Sequence, residues 1–425
     1  MSTLKESLAE KIPAMRREVN DLIAAHGEKE LCQVTVAQAY GGMRGVKGMV
    51  CDTSVVEPDK GLIIRGQPIR ELTQRSPEEV FFLLCTGELP DENALEALRV
   101  DFRARSEVPG YVWSVLRDLP DDSHPMQMLD TAILVLERES IFRRRYGEGL
   151  PKTDYWEPAL EDSLRLLAKL PALAAGVYRM RFKRSDPIPS SPSLDWSADY
   201  ASMLGIPDPD GAFADLVRLY LVLHCDHEGG NVSANTCHVV ASSLADPYYA
   251  VSAGLSGLAG PLHGLANQEC LQFVLAIKDA FGGVPTADQL KGYCRGVLEG
   301  GRVIPGYGHA VLRVTDPRFE ALHAFGERVC PDDPVFQIVD LGYKVIPEIL
   351  KEQGKAKSPY PNVDAGSGML LYHFGLTEFS YYTVMFAVSR ALGMLSQLIL
   401  NRALGTPITR PKSVSTSWIK AQVRA

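Results

Sequence analysis

Five of the nine histidines fall between residues 224 and 309, namely His224, His227, His238, His263 and His309. Imidazole is the side chain best suited to give or take a proton near neutral pH, so this clustering points to acid and base chemistry. His263 follows a bend made by Gly260 and Pro261 and precedes a helical pattern starting at Leu265. Near a helix N-terminus the positive dipole end favours neutral imidazole, which there donates a hydrogen bond to a developing oxyanion. His309 lies in Arg302-Val-Ile-Pro-Gly-Tyr-Gly-His-Ala-Val-Leu-Arg, where Gly306 and Gly308 permit a ligand to approach the backbone. Arg302, Arg313 and Arg318 make this the densest basic point near any histidine. Asp364, between the Pro361 turn and a new apolar helical pattern, reads as an ordinary N-cap or as a general base whose pKa an apolar flank raises.

Three arginines add an anion-binding theme. Arg390 is the single formal charge in the apolar run 379–401. A charge there is costly in lipid and in a dry core alike unless it meets an anion. With Arg318 and Arg410 it supplies planar forks suited to carboxylates, although each alone also fits a surface ion pair. A competing chemistry comes from His224-Cys-Asp-His-Glu, whose two histidines are one helical turn apart with Cys225, Asp226 and Glu228 alongside. That pattern suits a zinc-dependent hydrolase, but H-x-x-H without a second matching pair is unspecific. Phosphate-cradling glycine loops, a serine-hydrolase elbow and H-E-x-x-H are absent from the sequence.

The elements that must position these groups are mostly helical. Apolar residues three or four apart predict helices over 4–25, 125–145, 160–182, 211–224, 334–351 and 379–404. Strand character is confined to about 34–65, in Val34-Thr-Val, Met49 to Val56 and Leu62-Ile-Ile. The expected class is mainly α with a small N-terminal β element. The run 379–401 reads as a buried helix rather than a membrane span, and the Pro-rich stretch 183–193 as a surface loop. With 44 Lys+Arg against 52 Asp+Glu, the net charge of −8 argues against a coat for nucleic acid or anionic lipid. Eight scattered cysteines without C-x-x-C suggest reduced thiols. The first residues carry neither an apolar signal core nor an Arg-rich transit pattern, which predicts a mature intracellular chain of the bacterial cytoplasm or the processed mitochondrial matrix.

Taken together, His224-Cys-Asp-His-Glu-Gly-Gly-Asn-Val-Ser-Ala, Gly260-Pro-Leu-His-Gly-Leu-Ala-Asn-Gln-Glu, Pro305-Gly-Tyr-Gly-His-Ala-Val-Leu-Arg, Pro361-Asn-Val-Asp-Ala and Val388-Ser-Arg-Ala-Leu-Gly closely resemble citrate synthases of the eukaryotic, mitochondrial type. Tyr40-Gly-Gly-Met-Arg-Gly-Val-Lys-Gly also looks like that family, so the likeness runs from about residue 4 to 420. It implies a two-domain helical fold, with a large domain of residues 1–264 and 376–425 and a small one of 265–375 closing over substrate. It implies condensation of acetyl-CoA with oxaloacetate and hydrolysis of citryl-CoA to citrate, without metal or permanent cofactor. By motif match, His263, His309 and Asp364 are the catalytic group, and His227, Arg318, Arg390 and Arg410 bind the dicarboxylate. Arg410 is expected to reach across a homodimer. Coenzyme A contacts are expected at Arg44, at Val303, Ile304, Pro305, Gly306, Tyr307 and Gly308, and at Arg313 and Lys355. Gly366, Asn235 and Cys237 depart from residues common in relatives. A propionyl-CoA enzyme making 2-methylcitrate is the nearest alternative, because one methylene alters binding in an apolar pocket by only ~1–3 kcal/mol.

Overall fold

The structure, a computed structural model, describes residues 3–424. Its centre is the helix Tyr382–Leu404, flanked by Trp156–Tyr178, Pro77–Thr86, Val232–Ser242 and Pro247–Leu258. Its segment Phe379–Leu404, 26 residues, is long and apolar enough to cross a membrane, yet 89% of its apolar window is buried inside the protein. An apolar helix surrounded by other helices is what a large core requires. Arg390 sits on it at 3% exposure.

The first helix, Leu4–His26, starts with a capping box in which Thr3 and Glu6 satisfy each other's backbone N–H groups. Only its first half is buried by apolar packing: Leu4, Leu8 and Ile12 are buried, while Leu22 and Ile23 are each 61% exposed. The predicted helix 125–145 is broken into Pro125–Leu136, a short 3₁₀ turn and Ile141–Gly147, where the Ser140 side chain caps the new start. The segment predicted as 160–182 begins earlier, at Trp156, and ends in a π-helical turn over Arg179–Lys183.

The strand expectation holds only in part. Val34-Thr-Val is not a strand: Thr35 and Gln38 form a capping box that opens the short helix Val36–Tyr40. The β element is an antiparallel meander of β1 (Ser54–Glu57), β2 (Gly61–Ile64) and β3 (Gln67–Pro68), with Val55 opposite Ile63 and Ile64 opposite Gln67. Its first turn abuts the start of Pro317–Val329, since Arg313 N–H donates to the Pro58 carbonyl and a Cβ on Gly61 would lie 2.5 Å from the Pro317 ring.

Five helices, Ala266–Phe281, Ala287–Glu299, Pro317–Val329, Pro334–Gln353 and Asp364–His373, pack largely on one another. All eight cysteines are free thiols, and six of them are buried.

Candidate active site

His309 and Asp364 ride on two segments tied to each other. Tyr307 and Pro361 form an isolated antiparallel bridge. Gly308 N–H donates to the Tyr360 carbonyl at 3.0 Å and Asn362 N–H to the Gly306 carbonyl at 2.9 Å. The Asn362 amide Nδ2 donates to the Gly308 carbonyl at 2.9 Å, while its Oδ1 accepts from Asp364 N–H at 3.0 Å. Asn362 therefore supplies the side-chain bond at this helix start, and the N-cap reading of Asp364 does not hold: Asp364 is the first helical residue. Gly306 has φ 78°, and a Cβ there would lie 2.7 Å from Cys270 Sγ, so the packing of the loop already requires this glycine.

The His309 ring is fixed in one tautomer. Its Nδ1 accepts from Val311 N–H and Leu312 N–H, both at 3.0 Å, which leaves the proton of the neutral ring on Nε2. Burial and the charge of Arg318 push its pKa down, so it is a neutral Nε2–H donor at neutral pH. The His227 ring lies 5.7 Å from that of His309, and burial with Arg318 and Arg390 nearby drives its pKa well below the usual range.

Arg318 is clamped by a residue that the sequence reading did not single out. Asp316 caps the helix Pro317–Val329, and its carboxylate also accepts from Arg318 Nε and Nη2, the latter at 2.7 Å. Both side chains are buried. Burial alone would raise the Asp316 pKa, but the adjoining guanidinium outweighs it and holds it low. The signal was available in Asp-Pro-Arg, a cap followed by proline at the first helical position.

Arg390 makes no ion pair among the described residues. Its Nε donates to the His224 carbonyl at 3.1 Å, its Nη1 donates to Asn231 Oδ1 at 3.0 Å, and its Cζ lies 4.7 Å from the Phe386 ring centre. The nearby Asp226 carboxylate is already engaged by Thr53, Ser54 and Gln397. Burial lowers the Arg390 pKa to about 10, still above neutrality. Its neighbour Ser233 also fixes His263: Ser233 N–H donates to His263 Nε2 at 3.2 Å, with the hydroxyl 2.9 Å from the same nitrogen. Nε2 is thus an acceptor, and the proton of the neutral ring sits on Nδ1. Burial, then Arg390, lowers the His263 pKa to about 4. His263 precedes the helix Ala266–Phe281, as expected, and packs edge-on to Phe386. Burial raises Asp364 to about 6, with Arg318 pulling the other way.

The structure therefore gathers His227, His309, Arg318 and Asp364 in one electrostatic neighbourhood, with His263 joined to Arg390 through Ser233. Arg410, Arg44 and Lys355 stand apart on exposed segments, their side chains without a hydrogen bond to the described residues. Within the predicted coenzyme A loop, Val303 is 80% exposed, Ile304 and Gly306 are buried, and Pro305, Tyr307 and Gly308 are part-buried. Arg313 is exposed and folds back onto the carbonyls of Val311 and Leu312 at 2.8 Å. Gly366 faces Phe319 and Leu322, where a Cβ would approach to 3.3 Å. Asn231, Ser233, Asp316 and Phe386 are the positioning groups that sequence reasoning left without roles.

The zinc reading of His224 and His227 is not supported. The preceding helix ends at Leu223, so the two are not on one helical face. His224 is buried, stacked 4.1 Å from Tyr220, with Nδ1 bonded to the Tyr220 carbonyl, and Asp226 and Glu228 hold segment 53–56. The one His/carboxylate group with metal-like spacing among the described residues is His323, Glu327 and Asp340, where Asp340 already bonds His323 and Lys344.

Comparison with known proteins places the chain in a family. Residues 42–412 match the family described as "Citrate synthase, C-terminal domain". The "Probable citrate synthase, mitochondrial" of Caenorhabditis briggsae is 49% identical over 429 residues, covering 98% of this chain and 91% of its own length. The "Citrate synthase, mitochondrial" of Saccharomyces cerevisiae is 46% identical, covering 99% and 90%. Among solved structures, the citrate synthase of Pyrobaculum aerophilum superposes with a TM-score of 0.79 at 28% identity, over 88% of this chain and 92% of that one. In fold alone, the Thermotoga maritima enzyme follows at 0.74 and 23% identity, over 90% and 96%. On its site, its helical architecture and these likenesses, the chain belongs to the citrate synthase family.

Proposed function

We propose that the protein condenses acetyl-CoA with oxaloacetate and hydrolyses the resulting citryl-CoA, with His263, His309 and Asp364 as catalytic groups. The observation that carries this reading is the buried Arg390, held by neutral partners only, beside Arg318 and two neutral imidazoles. Arg390 thus lacks a carboxylate partner, and a small dicarboxylate supplies one. His227, Arg318 and Arg390 bind oxaloacetate. Asp364 takes a proton from the thioester methyl group while His263 Nδ1–H holds the oxygen as the enol forms. The enol carbon attacks the ketone carbon of oxaloacetate, and His309 Nε2–H stabilises and protonates the new alkoxide. Water then cleaves the C–S bond of citryl-CoA, releasing citrate and the coenzyme A thiol. In each of the two imidazoles the nitrogen bonded to backbone N–H is an acceptor, which leaves the other to carry the proton, the state this sequence of steps needs.

The five helices of 265–375 act as a small domain and the remainder as a large one. Coenzyme A is held by segment 303–308 with Arg44, Arg313 and Lys355. A homodimer covers the exposed apolar faces of the N-terminal helix and of segment 405–424, among them Leu22, Ile23, Ile408 and Trp418, and places Arg410 at the partner's site. The protein works in the mitochondrial matrix or a bacterial cytoplasm.

The deciding assay is thiol release from acetyl-CoA or propionyl-CoA, with and without oxaloacetate. Release that needs oxaloacetate and is faster with acetyl-CoA is expected. Faster release with propionyl-CoA would replace acetyl-CoA as the substrate, and release without oxaloacetate would overturn the condensation.

A further inference from the structure

His238 was among the clustered histidines, yet it takes no part in the chemistry above. It lies on Val232–Ser242 and bridges the end of the central helix to the segment that follows it. The Asn401 amide Nδ2 lies 2.9 Å from His238 Nδ1. Since that amide nitrogen only donates, Nδ1 is the acceptor and the ring proton is on Nε2, which points at Thr409 Oγ1 at 3.1 Å. Four residues along the same helix, Ser242 Oγ accepts from Thr409 N–H at 2.9 Å while donating to the Val239 carbonyl. Thr409 is therefore held by side chain and backbone at once. Beyond Gly405, which bonds back to Arg402, and Thr406, which bonds back to Asn401, no other hydrogen bond among the described residues holds segment 405–414. The next residue is Arg410, exposed and without a partner of its own among the described residues.

We infer that His238 and Thr409 are positioning residues for Arg410, setting the point from which its side chain departs toward the neighbouring subunit. This rests on the assignment of Arg410 to the dicarboxylate. An imidazole suits the task because its two nitrogens, one accepting and one donating, join the helix end to the segment that carries Arg410 through a planar ring. Losing the clamp lets Arg410 sample more positions, so the arm loses part of the order it needs before binding.

The test compares oxaloacetate KM and kcat for Arg410→Leu, His238→Ala, Thr409→Val and Thr409→Ser. Expected are a large KM rise in Arg410→Leu and a rise of about fivefold in both His238→Ala and Thr409→Val, the factor of one lost hydrogen bond. kcat in these two should stay within about twofold, the double variant should be no worse than the poorer single one, and Thr409→Ser should recover wild-type KM. If Arg410→Leu raises KM while Thr409→Val and His238→Ala do not, the inference fails and the arginine assignment stands. If Arg410→Leu leaves KM unchanged, both fail. Loss of the dimer in Thr409→Val would show a purely structural clamp and also overturn it. Should His238→Ala not fold, the isosteric Thr409→Val decides alone.

Discussion

Replacing Asp364 by asparagine separates two consequences of burying that carboxyl. Burial lifts its pKa from 3.8 to about 6, even with Arg318 opposing. At ~1.4 kcal/mol per unit, the shift corresponds to about 3 kcal/mol of folding stability given up to keep the group charged. The folded pKa is the higher one, so the penalty is absent at low pH, grows from about pH 4 to about pH 6, and is complete above. Asp364→Asn removes it: the variant should gain up to about 3 kcal/mol at pH 8 in denaturant unfolding and be nearly equal to wild type at pH 3.5. Turnover should move the opposite way, falling by ~10²–10⁴ because a positioned base is gone. Wild-type kcat/KM should drop about tenfold per pH unit below about pH 6, with no such limb in the variant. Turnover within threefold of wild type, or no gain in stability at pH 8, would refute the reasoning.

Arg390→Leu should raise the oxaloacetate KM by ~10²-fold or more, since removing one member of a buried charge pair costs about 3–5 kcal/mol. Initial rates against oxaloacetate check it, and an unchanged KM would assign this arginine to structure alone. In ¹⁵N-histidine spectra at pH 7, His309 should appear as the neutral Nε2–H tautomer, because two backbone N–H groups occupy Nδ1; a protonated ring or the Nδ1–H form would remove it as the ketone-polarising donor.

What the sequence disclosed followed from cost. A lone arginine in an apolar helix has few bland explanations, so Arg390 was legible, as was the buried nature of the helix around it. His263 was legible from the glycine and proline bend before a helix. Positioning groups were harder to read, because serine, asparagine and phenylalanine are common everywhere: Ser233 and Asn231 stood inside a recognised motif with no roles attached. Asp316 was missed although its cap signature was present. Val34-Thr-Val misled because β-branched residues favour strands, whereas Thr35 with Gln38 is a helix-start pair that outweighs propensity. Spacing also misled at His224 and His227, where three residues mean one turn only if the chain is helical there, and the helix has already ended.

The rungs between segments 306–308 and 360–362 have one more implication. They weld the proposed proton acceptor Asp364 and the proposed ketone donor His309 onto one backbone ladder, so that ladder sets where the two groups stand relative to each other. An alteration anywhere along the weld should blunt enol formation and carbon–carbon coupling in step, and neither half-reaction can be tuned without dragging the other along.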